Sequence, residues 1–127
     1  MAFKILVVDD ELDMRNLFSL FLEKEGYEVT RASNGKEAYE IVQTSKPDLI
    51  ISDIRMPVWD GVELFDRITQ MAAPHIPILF VSGYADYERR DFHKNPNFMG
   101  FVSKPIRRQK LIESVKEIQL KTASGHH

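Results

Sequence analysis

The sequence predicts an α/β domain in which a parallel five-stranded sheet is covered by helices on both faces. Three observations predict it. Short apolar runs alternate along the chain with stretches whose apolar residues fall at helical spacing. No Gly-, Ser- or Pro-rich linker interrupts the alternation. The runs are apolar at successive positions, as strands buried on both faces must be. Five such β-then-α units without a linker require crossover connections, and crossovers join parallel neighbours.

Each element can be justified in turn. Lys4 to Val8 is a continuous apolar run, after which Met14, Leu17, Phe18 and Phe21 move to helical spacing. Gly26 closes that helix, Tyr27 to Ala32 alternates as a second strand, and Asn34-Gly35 turns the chain into a helix carrying Ala38, Ile41 and Val42 on one stripe. Pro47-Asp48 starts a third strand, Leu49 to Ile54, and Asp60-Gly61 opens a third helix with Val62, Phe65 and Ile68 inward. Pro74-His75-Ile76-Pro77 leads into strand Ile78 to Val81. A short strand is expected around Phe101-Val102, and a final helix from about Arg107 carries Leu111, Val115 and Ile118 on one face. Between Asp86 and Phe98 the apolar residues hold no helical stripe and Asn95-Pro96 ends any helix, so a fourth helix is expected to be short or mobile.

Composition bounds the functions open to such a domain. A chain of 127 residues, 43% apolar, makes one domain that buries about two-thirds of its unfolded surface. The absence of cysteine excludes disulfides, thiolate zinc sites, iron–sulfur clusters and cysteine nucleophiles. With 17 basic and 19 acidic side chains the chain lacks the positive field of direct nucleic-acid binding. Its longest apolar runs, such as Ile5-Leu6-Val7-Val8, fall far short of the roughly 18 residues of a membrane span. Met1 runs straight into a strand with no room for a secretory signal, so a cytoplasmic location is expected. Residues 1–121 are expected to form the domain and 122–127 a disordered tail or cloning remnant, and with no effector domain after the last helix of these 127 residues the chain is expected to be either a stand-alone domain or one cut from a longer protein.

Ligands of open α/β sheets bind beyond the carboxyl ends of the strands. There the chain places Asp9-Asp10 after the first strand, Asp53 near the end of the third, Ser82 after the fourth and Lys104-Pro105 after the fifth. In the flavodoxin-like order 2-1-3-4-5, the switch point between strands one and three gathers Asp9, Asp10 and Asp53 at one crevice. Three converging carboxylates repel one another, and a divalent cation resolves the repulsion. The all-oxygen donor set selects a hard ion, and a shallow site of few carboxylates suits Mg²⁺ better than Ca²⁺. Asp53 could then serve as a nucleophile towards phosphorus, with Lys104 neutralising the phosphoryl oxygens and Ser82 donating a hydrogen bond to one.

These residues resemble the response-regulator receiver domains of two-component and phosphorelay signalling, over residues 3 to 120. The carrying motifs are Ile5-Leu6-Val7-Val8-Asp9-Asp10-Glu11, Asp48 to Pro57 followed by Asp60-Gly61, Val81-Ser82-Gly83-Tyr84 and Phe101-Val102-Ser103-Lys104-Pro105. The resemblance implies that Asp53 is the phosphoacceptor. It implies that Asp10, with Asp9 partly through water, and the backbone carbonyl of Arg55 hold Mg²⁺ beside Asp53, and that Mn²⁺ can substitute. It further implies that Lys104 pairs with Asp53 or its phosphate and that the Lys104-Pro105 bond is cis. The phosphoryl group would come from a phosphohistidine on a sensor histidine kinase or histidine phosphotransfer protein and be lost by slow self-hydrolysis.

In such a switch Ser82 swings towards the phosphate and Phe101 turns inward behind it, altering a face formed by the fourth helix, fifth strand and fifth helix that serves a homodimer or an effector domain. For Phe101 an ordinary core position is an equal reading. Arg55 and Tyr84 are bulky and would overhang the phosphate, tuning hydrolysis either by stabilising charge or by blocking water. Trp59 stands where the family often has methionine and is expected to be partly buried over its loop. The domain would be a switch that catalyses only its own phosphorylation and dephosphorylation.

Three other readings compete. A haloacid-dehalogenase-type phosphatase carries its nucleophile after the first strand as Asp-x-Asp, where this chain has adjacent Asp9-Asp10. A flavodoxin needs a hydroxyl-rich loop there, and Asp9-Asp10-Glu11 repels phosphate instead. A receiver-like interaction module without phosphorylation would have no need of Asp53, Ser82 and Lys104 together.

Overall fold

The strands form one parallel sheet in the order β2-β1-β3-β4-β5. The computed structural model describes residues 2–71, 76–83, 92 and 94–124. Its elements are β1 (Lys4–Val8), α1 (Leu12–Lys24), β2 (Glu28–Ala32), α2 (Gly35–Ser45), β3 (Leu49–Ser52), α3 (Gly61–Thr69), β4 (Ile78–Ser82), β5 (Phe98–Ser103) and α4 (Arg108–Ser124). The last of these is the fifth helix expected from the sequence. The region expected to hold a fourth helix lies outside the described residues, apart from Phe92 and residues 94–97.

Period-two alternation along buried strands divides the core into two layers. Ile5, Val7, Leu49, Ile51, Leu79 and Val81 point to one face, against Phe18 and Leu22 of α1 and Leu111, Val115 and Ile118 of α4. Leu6, Val8, Ile50, Ile78 and Phe80 point to the other, against Ala38 and Val42 of α2 and Leu64, Phe65 and Ile68 of α3. Every stripe residue assigned to a helix from the sequence is therefore in the core or packed against it, except Leu17, which is exposed.

Helix starts follow from short polar side chains. Asn34 and Asp60 cap α2 and α3, accepting from the backbone N–H of Glu37 and Glu63. Gly26 takes a positive φ of 92° after α1, the left-handed position the sequence reserves for glycine.

The structure corrects two strand boundaries. β3 ends at Ser52, not Ile54, because the Ile54 N–H turns to Asp53 Oδ1 at 2.7 Å and the Ile54 carbonyl accepts from Gly61 N at 2.7 Å. Ile54 stays buried without belonging to the ladder. β5 begins at Phe98, earlier than expected, because Gly100 at φ 112° accompanies a register shift opposite β4 and hides the strand period. At the other end of the chain α4 runs to Ser124, and the Thr122 hydroxyl donates to the Gln119 carbonyl.

Candidate functional site

Sheet register assembles the site. Val8 and Ser52 are paired on neighbouring strands, so Asp9 and Asp53 are each the next residue beyond one shared rung. Asp53 N still donates to Val8 O at 2.9 Å, which holds the two chain ends side by side. Ser82 pairs with Ser103, and Lys104 N donates to Ser82 O at 2.8 Å, placing Lys104 at the same edge. From β5 the lysine must reach past β4 to β3, a span of two strand spacings, roughly 10 Å, that calls for its long side chain. The Lys104-Pro105 bond is cis, as the resemblance implies.

Asp9, Asp10 and Asp53 each offer a carboxylate oxygen within 4.8 Å of the others. Asp9 is buried at 1% exposure and Asp10 is exposed, so the cluster runs from the interior to the surface. Lys104 Nζ lies 3.1 Å from Asp9 Oδ2 and 3.1 Å from Asp53 Oδ2. The remaining oxygens of the inner pair are fixed by the backbone: Asp9 Oδ1 accepts from Glu11 N at 2.9 Å and Asp53 Oδ1 from Ile54 N at 2.7 Å. Buried Asp9 and part-buried Asp53 thus each have one anchored oxygen and one aimed at positive charge.

The Lys104 ammonium pairs with two of the three carboxylates, Asp9 and Asp53. Burial pushes the Asp53 carboxyl above the ordinary carboxylate value; the Lys104 charge offsets this only in part, and Asp9 adds like-charge repulsion. Burial works against the Lys104 ammonium too, yet the charges of Asp53 and Asp9 outweigh it and raise its pKa above that of a free lysine. The lysine gains from two carboxylates, whereas Asp53 shares one lysine with a like-charged neighbour. The donor set fits a hard divalent cation: it is all oxygen and graded from buried to exposed, with one lysine ion-paired to two of its three carboxylates.

The expected site residues fare differently. The structure brings Asp9, Asp10, Asp53 and Lys104 together, and Ser82 ends β4 at the same edge, buried. Arg55 follows in the loop after β3 with an exposed side chain. Tyr84 lies outside the described residues. Phe101 is no ordinary core aromatic: it is 38% exposed and stacks on Phe80 at 5.7 Å between ring centroids, with Phe98 at 5.0 Å and Phe92 at 5.8 Å. Trp59 is half-buried as expected, against Tyr39 at 5.6 Å and beneath the Arg67 guanidinium at 4.6 Å.

Two contacts were not anticipated from the sequence. Lys104 binds Asp9 as well as Asp53, and Arg15 Nη1 donates to the backbone carbonyl of Asp9 at 2.8 Å. A signal for Arg15 existed: a basic residue near a helix N-terminus runs against the helix dipole, so it needs a partner to hold it there.

Comparison with known proteins agrees with this geometry. The response regulator receiver domain family matches residues 5–116. The response regulator receiver protein CpdR of Brucella abortus is 35% identical over 115 residues, 91% of this chain and 95% of that protein. Sporulation initiation phosphotransferase F of Bacillus subtilis is 30% identical over 114 residues, 90% of this chain and 91% of that one. The crystal structure of a CheY-like receiver domain protein from Methanospirillum hungatei superposes with a TM-score of 0.87 at 28% identity, covering 98% of this chain and 99% of that one. The chain therefore belongs to the response regulator receiver domains, CheY-like switches of two-component signalling whose common function is phosphorylation on an aspartate and whose acidic residues bind Mg²⁺.

Proposed function

We propose that Asp53 is the phosphoacceptor of this receiver. The observation that carries the reading is the convergence of three carboxylates within 4.8 Å, with Lys104 Nζ at 3.1 Å from both Asp9 and Asp53. A carboxylate oxygen of Asp53 attacks the phosphorus of a phosphohistidine; the P–N bond breaks as the P–O bond forms, and the departing ring nitrogen keeps the electron pair and takes a proton. Ile54 N and Lys104 Nζ hold Asp53 in a fixed orientation for this attack. Lys104 then faces the phosphoryl oxygens instead of the free carboxylate, and the Ser82 hydroxyl donates to one of them.

Asp10, Asp53 and the backbone carbonyl of Arg55, with Asp9 behind them, would hold the Mg²⁺, for which Mn²⁺ can substitute. When bound, the ion supplies neutralisation of the charge on the phosphoryl oxygens. Hydrolysis returns the carboxylate and releases inorganic phosphate, at a rate tuned by Arg55 and Tyr84 over the site. The phosphodonor is a sensor histidine kinase or histidine phosphotransfer protein, and the location is cytoplasmic. Among the described residues no helix is long and apolar enough to cross a membrane.

The signal leaves through Ser82 and Phe101. An exposed Phe101 already resting on Phe80 is placed to turn inward when Ser82 moves, and β5 and α4 are the described parts of the face this alters. That face serves a homodimer or an effector domain.

Incubation with Mg²⁺ and acetyl phosphate followed by phosphate-trapping mass spectrometry tests the phosphoacceptor. One phosphate is expected on the wild type and none on Asp53→Asn. An adduct that survives Asp53→Asn, or no adduct on the wild type, overturns the reading.

A further inference from the structure

We infer that Arg15 is a positioning residue for the cation site: its hydrogen bond to the Asp9 carbonyl sets the Asp9–Asp10 peptide plane and thereby the direction of the Asp10 carboxylate. This rests on the reading of the acidic cluster given above. Asp9 is fixed at four points, one of them the Lys104 ammonium on its Oδ2 at 3.1 Å. Its N–H donates to Ala32 O at 3.1 Å, its Oδ1 accepts from Glu11 N at 2.9 Å, and its carbonyl accepts from Arg15 Nη1 at 2.8 Å. Asp10 has no such anchors: it is exposed, and no hydrogen bond to its carboxylate is found among the described residues. The orientation of Asp10 is therefore inherited from the peptide that precedes it, and Arg15 holds the oxygen of that peptide.

Arg15 is itself well held. Its N–H donates to Glu11 O at 3.0 Å in the first turn of α1, and its carbonyl accepts from the hydroxyl of Ser19, a fully buried side chain, at 2.7 Å. The chain thus closes a ring from Asp9 through α1 back to Asp9. A rigid ring of this kind holds a metal-ligating carboxylate as outer partners hold other ligands, and loss of such a partner typically costs about tenfold or more in affinity.

The sign of the effect separates positioning from electrostatics. Removing a nearby positive charge strengthens the attraction of an anionic cleft for a cation, so if Arg15 were a bystander, Arg15→Met would bind Mg²⁺ as well as or better than the wild type. Positioning demands the opposite. Isothermal titration with Mg²⁺ is expected to give about tenfold weaker binding for Arg15→Met, with recovery to within about threefold in Arg15→Lys, which keeps the charge and a donor. Should Arg15→Met fail to fold by circular dichroism, Arg15→Gln, with its shorter uncharged stem, is read in the same way against Arg15→Lys.

Affinity of the neutral variant equal to or above the wild type overturns the inference. Asp10→Asn serves as the control: if it binds Mg²⁺ like the wild type, or if the wild type binds none, the reading of the cluster fails. If Asp10→Asn loses the ion while Arg15→Met keeps it, only the role of Arg15 fails.

Discussion

At Asp53 a carboxylate that must be ionised to play its proposed part in attacking phosphorus sits where burial favours its neutral form, and Lys104 at 3.1 Å does not fully offset the cost. Breaking a buried pair is usually destabilising because it strands the partner, but Lys104 keeps Asp9 at 3.1 Å if Asp53 is neutralised. Asparagine at 53 can also retain the bond from Ile54 N. In EDTA near neutral pH, Asp53→Asn is therefore expected to melt at a higher temperature than the wild type. The pH dependence has a definite sign. Because the folded pKa lies above the unfolded one, the folded state binds the proton more tightly, so the penalty of charged Asp53 is present above the folded value and absent below the unfolded one. The gap between variant and wild type should narrow as pH falls through the carboxylate range. Lys104 behaves oppositely at the alkaline end: its contribution is complete below the unfolded lysine value and lost as pH rises through the higher folded one. A variant that melts lower than the wild type at neutral pH, by calorimetry, would show that the ionised pair stabilises the fold.

Among the elements, the loop between β3 and α3 carries the tightest constraint. Gly61 N donates to the Ile54 carbonyl at 2.7 Å, closing the loop directly behind Asp53. A Cβ on Gly61 would lie 2.5 Å from the Asp53 carbonyl oxygen, 2.9 Å from Ile54 Cα and 3.0 Å from Phe80 Cε1. Two of these are backbone atoms, which cannot turn aside as a flexible side-chain end can. Gly61→Ala is expected to cost about 2 kcal/mol of stability, as overpacking does, and to slow phosphorylation because the shift falls on Asp53 itself. Urea unfolding and acetyl phosphate kinetics check the two halves, and an unchanged midpoint would mean the loop yields without strain. In the sequence Gly61 is legible as the residue after the Asp60 cap and as part of the Asp60-Gly61 motif, but not as a point of close backbone approach. Close approach to a backbone one loop away leaves no mark in composition or period. The same limit applies to β5, where Gly100 and the register shift interrupt the period that makes β1, β3 and β4 plain. Helices were easier to read, because Ala38, Val42, Leu111 and Val115 repeat at 3.6-residue spacing and all four lie in the core.

For the whole molecule, strand order converts a linear list of polar residues into a site. Asp9, Asp53 and Lys104 are far apart in the chain yet lie one residue past aligned strand ends, so recognising a parallel sheet was enough to gather them. The Arg15 bond to Asp9 was not legible in that way, because it depends on a rotamer and a peptide plane and not on topology. Gathering charge at one sheet edge has an energetic consequence for the entire fold. The carboxylates converge only when β1 and β3 are paired, so a cation that bridges them binds the native state and not the unfolded chain. Global stability should then rise as RT ln(1 + [Mg²⁺]/Kd), about 2.7 kcal/mol at one hundred times Kd. For a domain of this size that raises Tm by roughly 10 °C. Calorimetric scans in EDTA and across a Mg²⁺ series are expected to trace that logarithmic rise, and Asp10→Asn to flatten it. An equal Tm in EDTA and in saturating Mg²⁺ would mean that the ion does not distinguish folded from unfolded chain, and the converged carboxylates would then not be its site.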